Sequence, residues 1–295
     1  MRQYSALRLC TQISLSLWML SSSTSLCADG LLNRIRQEVR EPAQNILPEE
    51  TNRSERQNSD RWWDEEETEA EDSFRSFVGE VVLMGFTSPF WAPRIYLRDD
   101  YVLDGYFFRY PYQADQFGLM AIGKSPATDK NLRSWSVRLD AEYGESFDTT
   151  ARIGGHAVLQ STSRWGIDGG FDHRTENLTP GTRDQLWTGD FNITYRFAQS
   201  EAIQYRTGLG FNWLADQVDS EFGFNFTYAT DWLPREPWVI SAEIDLGALS
   251  HATLFHGRVT AGIQLRAVEV YTGYDYYGVG NVDMNNLVSG IRLWY

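Results

Sequence analysis

Residues 185–213 read QLWTGDFNITYRF, then AQS, then EAIQYRTGLGFNW. In the first arm Trp187, Phe191, Ile193, Tyr195 and Phe197 share one parity, and Thr188, Asp190, Asn192, Thr194 and Arg196 the other. In the second arm Ile203, Tyr205, Leu209, Phe211 and Trp213 alternate with Gln204, Arg206, Gly208, Gly210 and Asn212. Successive side chains of a strand point to opposite faces, so each arm predicts a strand with one apolar and one polar face. Both arms exceed the usual soluble strand of about five or six residues. A strand needs about 9–11 residues to cross a bilayer. Arms of this length, repeated, predict an all-β chain that crosses a membrane as an antiparallel up-and-down barrel.

The pattern runs from Ser134 to the C-terminus. It predicts ten strands, at 134–143, 150–160, 164–172, 185–197, 201–213, 220–230, 237–247, 255–265, 268–277 and 286–295, with twelve as the alternative count. Connections at 161–163, 198–200 and 266–267 are short, and 231–236 is intermediate. Those at 144–149, 173–184, 214–219, 248–254 and 278–285 are longer and rich in Gly, Asn, Asp and Ser. Short inner turns alternating with longer outer loops suit a bacterial outer-membrane barrel. An even strand number puts both barrel ends, and the N-terminal tail, on the periplasmic side.

One parity across these strands is apolar, with Trp135, Leu139, Ile153, Ile167, Phe224, Ile244, Val259 and Val270 among its members. The other carries a charged set that the register aims into the lumen: Arg138, Asp140, Glu142, Arg152, Asp168, Asp190, Arg196, Arg206, Glu243, Asp245, Arg258, Glu269 and Arg292. Alternation alone would also suit a soluble sandwich. Strand length, aromatics near strand ends and the N-terminal leader decide for a membrane.

That leader spans residues 1–28. Arg2 and Arg8 precede the apolar run Ile13–Leu20, and Ser21–Ala28 is small and polar, as in a secretory signal cleaved after Ala28. Both cysteines, Cys10 and Cys27, lie inside it, so the mature chain is expected to hold no disulfide and no thiolate metal site. Residues 29–77 are acidic, with DEEETEAED at 64–72, and predict a disordered periplasmic tail. Within it Leu31, Leu32, Ile35 and Val39 have helical spacing, against which the solvated tail is the preferred reading. Residues 78–133 are aromatic but interrupted by Pro89, Pro93 and Pro111, and predict a plug, a clasp or two further strands. The formal charge of −14 leaves no basic stretch to follow a phosphate backbone, which excludes nucleic acid as the expected partner.

Residues 134–295 resemble the outer-membrane β-barrel superfamily of double-membraned bacteria. The last strand, LVSGIRLWY at 287–295, resembles the C-terminal signal read by the barrel assembly machinery, with Ile291, Leu293 and Tyr295 at the matching positions. Ser289 departs from the apolar series, and Tyr replaces the commoner terminal Phe. The resemblance covers just over half of the chain. It implies outer-membrane lipid and the assembly machinery as partners, and the long outer loops leave room for an extracellular ligand. It implies no particular activity.

Some barrels of this size are hydrolases that use His–Ser, Asp–His or Asp–Asp pairs. Here His156 points inward with Ser161 five residues on, too far along the strand to share its level. Asp172 and His173 are adjacent and so face opposite ways. His173, His251 and His256 read as solvated loop residues. A base must reach its nucleophile within about 3 Å, so no catalytic, cofactor or metal residues are assigned. The lumen charges read as interlocked ion pairs or as the lining of a narrow, porin-like channel. At ten strands a filled interior is the preferred reading. The expected function is a non-enzymatic structural or surface-interaction barrel, with a narrow channel and a rim hydrolase as the alternatives.

Overall fold

A computed structural model of the chain describes residues 30–41, 87–99, 104–113, 116–124, 126–127, 129–146, 150–179 and 182–295. The expected signal peptide and the acidic run at 64–72 lie outside these residues. Ten antiparallel strands close into one barrel: β3 (Trp135–Glu145), β4 (Thr150–Ser161), β5 (Trp165–Thr179), β6 (Thr182–Gln199), β7 (Ile203–Ala215), β8 (Ser220–Arg235), β9 (Trp238–Leu249), β10 (Ala252–Leu265), β11 (Val268–Val279) and β12 (Val282–Trp294). Every strand pairs with its sequence neighbour, and β12 closes on β3 with Leu293 opposite Leu139. Two further strands, β1 (Gly105–Phe107) and β2 (Met120–Ile122), pair with each other outside the barrel ladder, so ten is the barrel count.

The strands run past their expected ends. β5 and β6 continue as one hairpin to Thr179 and Thr182, β9 and β10 meet at Leu249 and Ala252, and β11 and β12 at Val279 and Val282. Most of the length expected as outer loops is therefore ladder. Two-residue turns match the strand twist when the backbone takes positive φ, and Ser250, Arg266 and Gly280 do so here.

The outer wall is apolar. Leu139, Ile167, Ile193, Leu209, Val259, Val270 and Ile291 are all more than 40 % exposed along its middle. Trp135, Trp165, Trp232, Trp238 and Tyr295 ring the end beside the barrel termini. Tyr143, Trp187, Phe222, Phe255 and Tyr274 lie toward the other end. Aromatic girdles around an apolar band are the exterior of a membrane barrel. Among the described residues no helix is long and apolar enough to cross a membrane.

Both mouths are covered. At the end beside the termini, the described residues of 104–133 form a clasp. Phe107, Tyr112, Leu119 and Met120 pack on Leu233, Val239 and Trp294. The Tyr112 hydroxyl donates to the Trp238 carbonyl at 2.7 Å, and the Leu119 N–H to Glu201 at 2.8 Å. Of the described residues in 78–133, those from 104 to 133 lie across this mouth and carry β1 and β2, and 87–97 form a helix on the outer wall.

At the opposite mouth lies α1 (Leu31–Arg40). Here the expected disorder fails: the helical spacing of Leu32, Ile35 and Val39 puts all three on one face, and each is 0 % exposed. They pack on Leu186, Leu214, Leu249, Leu254, Val279 and Met284. The tail reading weighed the segment's acidic composition; the apolar stripe wins because the mouth offers an apolar ring to receive it. A helix starts with unpaired N–H groups. Glu176 of β5 accepts from Leu31 N and Leu32 N, both at 2.9 Å, and so caps it.

Candidate functional site: the charged lumen

Period-two alternation places every expected lumen residue inside the wall. Arg138, Asp140, Glu142, Arg152, Asp168, Arg196, Arg206, Asp245, Glu269 and Arg292 are buried. Glu243 and Asp190 are half-buried. Arg258 is 9 % exposed.

Nearest the clasp, Arg292 bonds Asp140 and Glu269, both at 2.9 Å, and Trp294 Nε1 donates to the second Glu269 oxygen at 2.9 Å. Above it Asp231 receives Arg138 at 2.6 Å, Arg206 at 2.7 Å, Ser241 at 2.7 Å and Gln204 at 2.9 Å. Arg206 also reaches Asp168 at 3.2 Å and Glu243 at 3.0 Å. The middle tier centres on Glu142, which takes Arg152 on one oxygen and Arg258 on the other, with the Tyr271 hydroxyl at 2.8 Å. Tyr271 lies opposite Gly290, where an added β-carbon would collide with its ring. Toward α1, Arg152 pairs with Asp275 at 3.0 Å and Asp172 at 3.1 Å. His256 bridges Asp245 at 2.9 Å and Asp275 at 2.8 Å.

Several partners differ from what the strand register alone would pair. Arg258 faces Glu243 in register, yet its bonds go to Glu142 and Tyr271, because long side chains in a closed barrel reach across the lumen as well as along the ladder. Arg196 stands opposite Arg206 and is held by neutral acceptors, Gln199 at 2.7 Å, Gln160 at 3.1 Å and the Ser161 carbonyl at 3.0 Å, with Phe107 of the clasp under its guanidinium. His256 is not a solvated loop residue: it lies within β10 on the parity of Arg258, which turns it into the lumen. Asp231 and Arg174 were missing from the expected set. The strand predicted at 220–230 stops one residue before Asp231, and the one at 164–172 two before Arg174. Continuing the alternation through Ala229, Asp231 and Leu233 would have found the first.

Among the described residues His156 does not meet Ser161. His156 contacts Asp168 and Asp140, while Ser161 Oγ bonds Ser163 and the Trp165 carbonyl. His173 stacks on Trp187 and contacts Gln185, and His251 is exposed in a turn. His156, Asp168 and Glu243 place candidate metal-ligand atoms within 4.8 Å of one another. The Arg206 guanidinium binds both carboxylates of that trio and already supplies the cation.

Between the middle tier and α1 a cavity of about 50 Å³ remains, with Asp190, Asn212, Glu243 and His256 on its walls. A buried water needs roughly 10–15 Å³, so this is room for a few waters.

Together the fold and the site define a closed antiparallel barrel with an apolar outer wall, a charge-paired lumen and covered mouths. No protein-family model matches the chain, and comparison with curated proteins found no match. Among solved structures it is similar to Ail, the attachment invasion locus protein of Yersinia pestis, at 9 % identity and a TM-score of 0.27, covering 55 % of this chain and 97 % of that one. The KdgM porin is similar at 10 % identity and 0.25, covering 53 % and 98 %. The same porin in complex with disordered oligogalacturonate is similar at 11 % and 0.24, covering 54 % and 98 %. At these values the likeness reaches no further than the barrel.

Proposed function

We propose that the chain is a non-enzymatic outer-membrane β-barrel with a closed lumen, serving a structural or surface-interaction role. The observation that carries this reading is the Arg138–Asp231 pair. It joins β3 to β8, which stand five places apart in the ring of ten, and so bridges the full width of the lumen. A conducting channel needs a continuous aqueous path. Here ion pairs block the middle, and the clasp and α1 cover the ends. The outward Ile291, Leu293 and Tyr295 on the last strand suit recognition by the barrel assembly machinery. With the barrel termini in the periplasm, α1 lies at the outer mouth, against the periplasmic side expected for the tail that contains it, and contact with an outside partner falls to that mouth and to the long β5–β6 hairpin.

The purified barrel in a planar bilayer should give no steady conductance. Large, stable, ion-selective currents from the unmutated protein would replace this reading by the narrow channel. Fractionation should recover the mature protein in the outer membrane, with a gel mobility that changes on boiling.

A further inference from the structure

Residues 87–97 form a helix, here α2, that lies against the outside of the barrel. Phe90 enters an aromatic cluster on the outer wall, with its ring centroid 5.8 Å from Phe197, 5.9 Å from Tyr228 and 6.2 Å from Phe226. Tyr228 donates to the Pro89 carbonyl at 2.9 Å. The far end is pinned by Asp99, which takes the Arg164 guanidinium at 2.6 and 2.8 Å and the Gln199 N–H at 3.1 Å. The helix is therefore strapped to the wall at the aromatic girdle beside the barrel termini.

Its outer face is left open. Trp91 and Ile95, one turn apart, are 42 % and 67 % exposed, and Tyr96 is 86 % exposed. Arg94 and Arg98 are exposed among them. An amphipathic helix with Trp and aliphatic residues on one side and basic residues beside them lies in the plane of a bilayer interface. Trp and Tyr concentrate at headgroup level. The open face continues the apolar band around it, which the membrane reading above already assigns to lipid.

We infer that α2 is an interfacial helix: its face of Trp91, Ile95 and Tyr96 enters the leaflet on the side of the barrel termini, and its arginines meet the headgroup phosphates. The inference rests on the membrane placement proposed above, and the test separates the two. Residues 29–295 contain no cysteine. Spin labels can therefore be placed one at a time, at Ile95→Cys and Tyr96→Cys on α2, at Ile193→Cys on the mid-barrel wall, and at Val218→Cys in an exposed turn. The protein is reconstituted into phosphatidylglycerol–phosphatidylethanolamine vesicles, and each label is challenged with oxygen and with a water-soluble nickel chelate. The α2 labels should show an oxygen-to-nickel accessibility ratio several-fold above that at Val218→Cys and below that at Ile193→Cys. An α2 ratio equal to that of Val218→Cys, with Ile193→Cys in lipid, would overturn the interfacial helix and leave the barrel placement standing. Dipolar broadening of the α2 labels, removed by diluting with unlabelled protein, would assign the face to a second copy instead. An aqueous reading at Ile193→Cys would reject the membrane placement itself.

Discussion

Arg138 and Asp231 meet at 2.6 Å across the diameter of the barrel, from strands that share no edge. The Asp231 carboxylate is 0 % exposed and also anchors Arg206, Gln204 and Ser241. A buried charge tolerates removal from water only when paired and hydrogen-bonded. One aspartate thus ties β3, β7, β8 and β9 into a cross-brace, which is what makes the interior solid at this level.

Asp231→Ala should leave the buried Arg138 guanidinium with only Asp140, at 3.7 Å, and take one of the three carboxylates that hold Arg206. Removing one partner of a buried pair typically costs about 3–5 kcal/mol. The expected result is a large loss of stability in detergent unfolding followed by tryptophan fluorescence. Arg196→Met removes only bonds to neutral acceptors and should cost less, nearer the ~1–3 kcal/mol of an unsatisfied polar partner. If the two variants unfold alike, the cross-brace is not what holds the lumen.

Ile193 tests the outer wall. It is 57 % exposed, mid-strand, between Phe191 and Tyr195. An arginine facing hydrocarbon near the midplane costs about 2–4 kcal/mol. Ile193→Arg should therefore lower stability in lipid by that order and slow assembly into vesicles. The same substitution on an exposed soluble surface is nearly neutral, so a wild-type unfolding profile would contradict the lipid-facing wall.

The barrel was legible in the sequence because period-two alternation is a local signal that each strand carries by itself. Strand ends were not. At 173–184 and 278–285 the Gly, Asn and Asp content reads as loop, yet paired neighbours carry the ladder through such residues. The lumen residues could be assigned to the inner face, but their partners could not: Arg258 choosing Glu142 over Glu243 depends on depth in the lumen and on reach across it. The docking of α1 was half legible. Its stripe of Leu32, Ile35 and Val39 is visible, whereas the receiving ring of Leu186, Leu214, Leu249 and Val279 exists only once distant strands have closed.

α1 should be separable from the barrel. Full burial of a Leu or Ile side chain is worth about 1.5–3 kcal/mol, and Ile35→Asp places a charge in that apolar ring. The variant should keep its heat-modifiable mobility while protease shortens its N-terminus at a raised rate. Gly280→Val should act in the same direction, since Gly280 has φ +58° and a β-carbon there would run into the Glu38 carboxylate. Unchanged proteolysis in both variants would mean that α1 is not held by this face.

The last prediction concerns acid. Asp216, in the turn after β7, lies 2.8 Å from Arg36 Nε and 3.1 Å from Arg40 Nη1, and accepts from the N–H groups of Val218 and Asp219. Burial works against its charged form, but the Arg40 hydrogen bond and the two backbone donors outweigh it and hold the carboxyl well below its usual range. Arg36 is pushed the other way, chiefly by its hydrogen bond to Asp184, and stays charged throughout. A depressed carboxyl contributes stability that is complete above its unfolded value, about 3.9, and is lost only as pH falls below that toward the folded value. Helix docking in the wild type should therefore exceed that in Asp216→Asn by a constant margin from about pH 9 down to about pH 5, then by a shrinking one below about pH 4. Protease release of the N-terminus, with an acid-active protease below neutrality, reads the margin. A margin that already shrinks between neutral pH and pH 5 would show that Asp216 does not hold α1 as an ionised carboxylate.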